Sequence, residues 1–215
     1  MLACMESSAS LAAVSQELMK INVSINSQLP FWNQGQGGNI SVKRESEMAI
    51  KPTGFRLDQI TNFDDFAILD YRELASELQN LADSGSDAPT CESKYSELIA
   101  VAKTRANSKH RASMEVGFHI FLPKSFVCHI HHLNSLLLTE LMDQKNADEF
   151  LKKWDSKITQ VPYIRPGWEL TQYFIQNKIA SPIILMRNHG VIFQMNKIEE
   201  FDLFIEFSTQ LEKFL

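Results

Sequence analysis

Three of the six histidines lie within four positions, in the stretch FVCHIHHLNS that begins at Phe126. The pattern FVCHI predicts a buried β-strand, on which residues two apart project to the same side. His129 and His131 are therefore expected to point together and to supply two imidazoles of a tetrahedral zinc site. His132 would point away or begin the next helix, as a neighbouring or surface residue. Because a His-x-His pair is a weak signal by itself, a purely structural role stays open.

A third ligand has to come from a distant part of the chain, and His189 is the best candidate. It follows the apolar segment SPIILM and precedes Gly190, which permits a tight turn and leaves space beside the imidazole. His119 lies four residues after Glu115, so these two form another possible metal pair by spacing. Glu115 could instead move a proton on a bound substrate, or be a surface glutamate at the start of a helix.

Two glycine-containing turns flank a predicted hairpin. GQGGNIS starts at Gly35 and offers backbone N–H groups, with Asn39 and Ser41 as side-chain donors. KPTG, at residues 51–54, offers a cation, a hydroxyl and a glycine turn. Neither segment matches the P-loop or dinucleotide pattern, and alone they are typical of ordinary turns. Beside a metal site they indicate a small phosphorylated substrate.

The rest of the chain supplies the elements that must position these residues. Apolar residues at helical spacing predict helices over residues 9–27, 72–82, 93–104, 133–142 and 197–214. Strands are expected as a hairpin within residues 39–51, at 66–71, at 126–130 and on both sides of the turn at 188–190. The composition of DSGSDAPT, residues 83–90, predicts a surface loop.

Composition narrows the class of protein. The chain has 215 residues, 44% hydrophobic and 22% charged, which suits one compact domain spanning 1–215. A net charge of −5 argues against a nucleic-acid binder or an anionic-membrane binder. No apolar run approaches the roughly 20 residues needed to span a bilayer, and the start, MLACMESSAS, predicts no signal peptide. Three cysteines without CxxC spacing predict free thiols and a cytoplasmic location.

Taken in order, these segments resemble the class II aldolase and adducin family over about residues 10–195. GGNIS is similar to the family's Gly-Gly-Asn-x-Ser segment, and IKPTG to its Pro-(Ser/Thr)-Gly turn. SMEVGFH followed by VCHIH resembles its Ser-Ser-Glu-x-x-x-His helix and His-x-His strand, and RNHG its last-ligand segment. The family includes fuculose-phosphate and rhamnulose-phosphate aldolases, ribulose-phosphate 4-epimerase, methylthioribulose-phosphate dehydratase and adducin. The rhamnulose-phosphate branch looks most similar around RASME and LPKSFVCHIH.

The resemblance implies a single three-layer α/β/α domain with a mostly antiparallel central β-sheet. It implies that His129, His131 and His189 hold a divalent metal, usually Zn²⁺, and that Glu115 is the acid/base residue. The substrate phosphate would lie among five residues, which are Gly38, Asn39, Thr53, Gly54 and Ser113. The implied reaction is retro-aldol cleavage of a ketose phosphate through a metal-stabilised enediolate, catalysed by a lyase that forms a homotetramer.

The sequence departs from the family pattern in three places. Met114 stands where many relatives have a second phosphate-binding serine. Residues 83–111 are longer than in the compact aldolases, and no tyrosine follows residue 195. Tyr163, beside Arg165, is therefore the candidate catalytic residue contributed to a neighbouring subunit. Because such residues separate the reactions, a sugar-phosphate 4-epimerase, a dehydratase or a non-catalytic adducin-like interaction module stays open as an alternative.

Overall fold

The computed structural model describes residues 10–28, 31–105, 108–141 and 144–215. Residues 1–9 lie outside this set. The structure therefore does not describe Cys4, the first residue of the predicted 9–27 helix, or most of the segment MLACMESSAS, for which no signal peptide is predicted. Among the described residues, no helix combines the length and apolar composition needed to cross a membrane. Cys91 and Cys128 are buried free thiols.

Within the described residues, seven strands form one sheet. They are β1 (Asn39–Arg44), β2 (Glu47–Ile50), β3 (Ala67–Asp70), β4 (Phe126–Ile130), β5 (Ile158–Val161), β6 (Ile183–Met186) and β7 (Gly190–Met195). The order across the sheet is β3-β2-β1-β4-β7-β6-β5. The β5–β6 pair is parallel and the other neighbouring pairs are antiparallel, which confirms the prediction of a mostly antiparallel sheet.

The helices connect these strands and cover the sheet. They are α1 (Ser15–Asn26), α2 (Tyr71–Asp83), α3 (Ala88–Arg105), α4 (Val116–Phe121), α5 (Leu133–Glu140), α6 (Gln144–Lys152), α7 (Trp168–Asn177) and α8 (Asp202–Phe214). Short 3-10 helices occur at Leu11–Val14, Leu57–Gln59, Phe63–Asp65 and Ile198–Phe201. The helices predicted near both ends of the chain therefore each begin with a 3-10 turn.

The sheet is buried on both faces, as β4 shows. Cys128 belongs to an apolar cluster with residues of α1, α5, α6 and α8, whereas Val127 belongs to a cluster with residues of α4 and α7. A further cluster joins β2 and β3 to α2, α3 and α4. Because successive strand residues point to opposite faces, this alternation places a helical layer on each side. The prediction of a single three-layer α/β/α domain is thereby confirmed.

The predicted loop over residues 83–90 is too long. Helix α3 begins at Ala88 rather than near residue 93. Asp87 Oδ1 accepts a hydrogen bond from the Thr90 amide at 3.0 Å, which satisfies an amide of the first turn. Pro89 lies in that first turn, where its missing amide costs no intrahelical bond. Residues typical of a loop therefore start a helix. Helices α6 and α7 and strand β5 were not predicted from the sequence.

Candidate metal centre and anion cavity

Three separate sequence segments meet at one end of the central strands of the sheet. Strand β4 lies between β1 and β7, with Asn39 opposite His129 on one side and Ile192 opposite His129 on the other. The start of β1, the end of β4 and the turn before β7 are therefore neighbours. This arrangement brings His189, about sixty residues later in the sequence, beside the His129 and His131 pair.

The three imidazoles of His129, His131 and His189 face a common point. One nitrogen from each ring can be chosen so that all three lie within 4.8 Å of one another. The His129 ring centroid lies 5.0 Å from that of His131 and 4.8 Å from that of His189. The geometry thus brings together the pair predicted from strand periodicity and the candidate third ligand.

His129 has a nitrogen with a free lone pair at this point. Its Nδ1 lies 3.2 Å from the Val191 carbonyl oxygen, which can only accept, so Nδ1 carries the proton. Its Nε2 is then unprotonated, buried and without a hydrogen-bond partner among the residues that the structure describes. A buried polar atom in this state calls for an explanation, and a bound cation provides one.

Burial also sets the charge of the imidazoles. It lowers the pKa of His129 well below the ordinary value, and it lowers the pKa of His131 as well. Both rings are therefore neutral at pH 7 and can donate lone pairs to a metal. Three imidazoles beside a carboxylate are a donor set that suits zinc and similar divalent ions. The residues present fit the metal that the sequence implies.

Glu115 lies against two of these histidines and is buried. Its Oε1 is 3.0 Å from His189 Nε2, and its Oε2 is 3.6 Å from His129 Nε2. Burial acts to raise the pKa of Glu115, but the interaction with His129 and the hydrogen bond with His189 hold it below the usual range. The alternative of a surface glutamate is therefore wrong, because the side chain is an enclosed carboxylate at the imidazole cluster.

The turn before β1 is packed directly against His131. A Cβ added at Gly37 would lie 2.7 Å from His131 Cε1 and still closer to Nδ1. Asn33 joins the same two segments, since its Nδ2 donates to the Gly37 carbonyl at 2.6 Å and its Oδ1 accepts from the His131 amide at 3.1 Å. Sequence reasoning missed Asn33, because a partner 98 positions away leaves no local pattern.

A cavity of about 250 Å³ opens beside the imidazoles. Its lining contains all five residues predicted to surround a phosphate, which are Gly38, Asn39, Thr53, Gly54 and Ser113. Glu115, His131 and His189 line the same cavity, and so does Met114. An isolated bridge between Pro52 and Ala112 holds the two segments KPTG and ASME side by side. The candidate metal ligands and the residues predicted to bind a phosphate therefore line one cavity.

Lys51 also lines this cavity and was not among the predicted site residues. Its Nζ donates to the Gln36 carbonyl at 3.1 Å and to the Phe55 carbonyl at 2.6 Å. An ammonium has three donors, so one N–H is left for a ligand. Burial lowers the pKa of Lys51 to about 8, a shift that the charge of Glu115 partly opposes. The cation in KPTG was the sequence signal for this residue.

Three residues considered in the sequence analysis lie elsewhere. His119 is not a metal partner of Glu115, because its two nitrogens contact Ser41 and Asn39. His132 is buried rather than exposed, with its nitrogens 2.7 Å from Ser135 Oγ and 3.1 Å from Ser208 Oγ. Tyr163 is 57% exposed and is not among the residues that line the cavity.

Proteins with solved structures share the fold of this chain. The N-terminal class II aldolase domain of a conserved protein from Thermoplasma acidophilum superimposes with a TM-score of 0.72 at 22% identity, covering 100% of this chain and 96% of that one. A sugar-phosphate aldolase from Thermotoga maritima gives a TM-score of 0.62 at 14% identity, covering 93% of each chain.

L-fuculose-1-phosphate aldolase from Thermus thermophilus gives a TM-score of 0.57 at 13% identity, covering 93% of this chain and 92% of that one. No curated protein matches the chain in sequence. The sequence pattern of the family described as "Class II Aldolase and Adducin N-terminal domain" matches residues 16–207. The chain therefore belongs to the class II aldolase and adducin family.

Proposed function

We propose that this protein is a metal-dependent sugar-phosphate aldolase, a lyase that cleaves a ketose phosphate by a retro-aldol reaction. One observation carries the proposal: a single cavity is lined by imidazoles, a buried carboxylate and a set of anion donors. His129, His131 and His189 would hold a divalent ion, with Zn²⁺ favoured by the nitrogen-rich donor set. When bound, this ion acts as a Lewis acid that polarises substrate oxygens and stabilises the negative charge released by carbon–carbon cleavage.

Glu115 is the acid/base residue in this proposal. Its carboxylate is ionised and enclosed, and it lies within 3.0 Å of His189. A substrate held at the imidazoles would therefore place its reacting carbons near Glu115. The carboxylate can take the proton of the hydroxyl that becomes the aldehyde carbonyl and then return it to the carbon left by cleavage. Oε2 accepts from Asn39 Nδ2 at 2.8 Å, which leaves Oε1 as the oxygen better placed to exchange the proton.

The anion donors would bind the substrate phosphate and fix its distance from the imidazoles. Ser113 Oγ accepts from Asn39 Nδ2 at 3.2 Å and from the Glu115 amide at 3.3 Å, so its own O–H can donate to a phosphate oxygen. Lys51 adds a positive charge at the same cavity. Gly38, Asn39, Thr53 and Gly54 complete the set. Holding the phosphate in this way positions the reacting bond.

We infer that the protein forms a homotetramer and that Tyr163 reaches the cavity of a neighbouring subunit. Tyr163 lies in an exposed segment, whereas Pro166 of the same segment lines the cavity of its own chain. The segment is thus next to the cavity mouth, where a neighbouring subunit could receive it.

The free thiols of Cys91 and Cys128 suit a reducing compartment such as the cytoplasm.

The proposal is tested by incubating metal-loaded protein with a panel of ketose phosphates and identifying the products. An aldolase releases a triose phosphate and an aldehyde, whereas an epimerase conserves the carbon skeleton and a dehydratase releases water. Glu115→Gln is expected to lower kcat by at least about 100-fold. Glu47→Gln, on an exposed residue of β2, is the matched control and should retain activity.

Two outcomes contradict the proposal. If purified protein binds no divalent metal and metal-loaded protein converts no member of the panel, the cavity is not an aldolase site. An adducin-like interaction module would behave in this way. If Glu115→Gln retains wild-type activity, the acid/base role belongs to another residue.

A further inference from the structure

A chain of four buried polar side chains starts at Glu115 and leads into the space between β1 and α4. Glu115 Oε2 lies 2.8 Å from Asn39 Nδ2. Asn39 Oδ1 contacts His119 Nε2, and His119 Nδ1 lies 2.7 Å from Ser41 Oγ. All four side chains are buried, and Ser41 and His119 are fully enclosed. Water therefore has little access to replace any of these contacts.

The direction of every hydrogen bond in this chain follows from the orientation of the Asn39 amide. Asn39 Nδ2 donates to Glu115 Oε2 at 2.8 Å and to Ser113 Oγ at 3.2 Å, which leaves the Asn39 oxygen to face His119. That oxygen can only accept, so the proton of His119 is on Nε2. A neutral imidazole has one N–H, which leaves Nδ1 to accept from the Ser41 hydroxyl.

The neutral form of His119 is supported by its surroundings. Burial lowers the pKa of His119 to about 3; Glu115 opposes this shift and the nearby Lys43 acts in the same direction as burial. Lys43 lies next to this residue, since its Nζ donates to the His119 carbonyl at 2.8 Å. The chain of hydrogen bonds thus has a single consistent polarity, from Ser41 to Glu115.

We propose that His119 is a positioning residue that fixes the amide orientation of Asn39 and, through it, the Glu115 carboxylate. With His119 Nε2–H bound to Asn39 Oδ1, the amide cannot rotate by 180° without losing this bond. In the rotated state an amide oxygen would face the carboxylate oxygen at a distance where the two repel. The inference rests on the proposed function, because it assigns Glu115 Oε2 to Asn39 and keeps Oε1 for the substrate.

Two conservative variants of His119 separate positioning from space filling. In His119→Gln the side-chain amide nitrogen reaches near the former Nε2 and can still donate to Asn39 Oδ1. In His119→Asn the amide reaches only as far as the former Nδ1 and cannot. We expect His119→Asn to lower kcat by about 10- to 100-fold with KM within about twofold, because a misplaced acid/base group slows the chemical step. His119→Gln should retain kcat within about threefold of the wild type.

His132 supplies the matched control. It is also a buried histidine whose two nitrogens contact serine hydroxyls, but those serines are Ser135 and Ser208, outside the chain that reaches Glu115. The pair His132→Gln and His132→Asn should show no such split in kcat. Equal kcat losses for His119→Gln and His119→Asn, with matching losses of thermal stability, would mean that His119 only fills space.

A second readout does not depend on activity. Spectra of protein labelled with ¹⁵N-histidine report which ring nitrogen of His119 carries the proton, and loss of the signal in His119→Gln assigns it. The expected result is the Nε2–H tautomer, retained in Ser41→Ala because Asn39 Oδ1 still requires a donor from His119. Observation of the Nδ1–H tautomer in the wild type overturns the inference. If the tautomer is Nε2–H and no ketose phosphate is cleaved, the proposed function fails while the orientation of Asn39 stands.

Discussion

Gly37→Ala should weaken metal binding by displacing His131. The new methyl group would lie 2.7 Å from His131 Cε1, whereas ordinary contacts of this kind begin at 3.4 Å. The methyl group would lie closer still to Nδ1, so the ring has to move by about 1 Å to relieve the overlap. Gly37 has no positive φ, so alanine itself fits the backbone there. The effect of the substitution should therefore fall on the imidazole.

The size of the effect follows from the tolerance of metal sites. Zinc–nitrogen bonds are about 2.0–2.1 Å long and tolerate roughly 0.2 Å of deviation. A displacement of about 1 Å exceeds that tolerance, so His131 either strains the site or stops binding. Disturbing the groups that orient a ligand typically costs about 10- to 100-fold in metal affinity. We expect a loss of this size, equivalent to about 1.4–2.8 kcal/mol.

The assay is competition for Zn²⁺ against a chromophoric chelator, with thermal unfolding of the metal-free protein measured alongside. Gly35→Ala is the matched control from the same turn, because its added Cβ would meet nothing within 4 Å although its φ is +54°. This control should lose about 1 kcal/mol of stability from backbone strain and keep its metal affinity. Wild-type affinity in Gly37→Ala, or an equal affinity loss in Gly35→Ala, would refute the reasoning.

Three further predictions concern groups around the cavity. Glu140 Oε1 accepts a hydrogen bond from the Asn188 amide at 2.9 Å and so fixes the turn that carries His189. Glu140→Ala should therefore weaken Zn²⁺ binding about fivefold in the same competition assay. Glu140→Gln keeps an acceptor and should not weaken it. Lys51→Met should raise KM for a phosphorylated substrate by at least about tenfold and change kcat little in steady-state kinetics, because it removes the cation of the cavity. Burial lowers the pKa of Lys43 to about 7, so above that pH the folded chain binds fewer protons than the unfolded chain. The free energy of unfolding, measured by urea titration, should therefore rise from pH 7 to 9. The rise should be smaller in Lys43→Met.

The geometry of the candidate centre follows largely from local patterns. Strand periodicity placed His129 and His131 on one side, and an apolar segment followed by His189 and Gly190 predicted a turn between strands, as the structure shows. The two glycine-containing turns likewise flank the β1–β2 hairpin, as the sequence predicts. Such features depend on residues that are close in sequence, and a single chain is enough to detect them.

The surroundings of the centre could not be predicted in this way. Asn33 contacts the His131 backbone across 98 positions, and Ser41 contacts His119 across 78. Asparagine and serine are common in loops and strands, so their types alone do not identify these partners. Strand β5 was missed for a different reason: it is a partly exposed edge strand without clear alternation, and it is held by parallel pairing with β6. Its position depends on tertiary contacts rather than propensity.

The order of the central strands also has a consequence for how the chain folds. Strands β1, β4 and β7 are adjacent in the sheet, yet they begin at Asn39, Phe126 and Gly190. Pairing segments so far apart requires the closure of long loops, which is entropically costly and slows folding. The three imidazoles converge only after both pairings have formed. Acquisition of metal affinity during refolding would therefore mark the late step at which the middle of the sheet closes, well after local helices have formed.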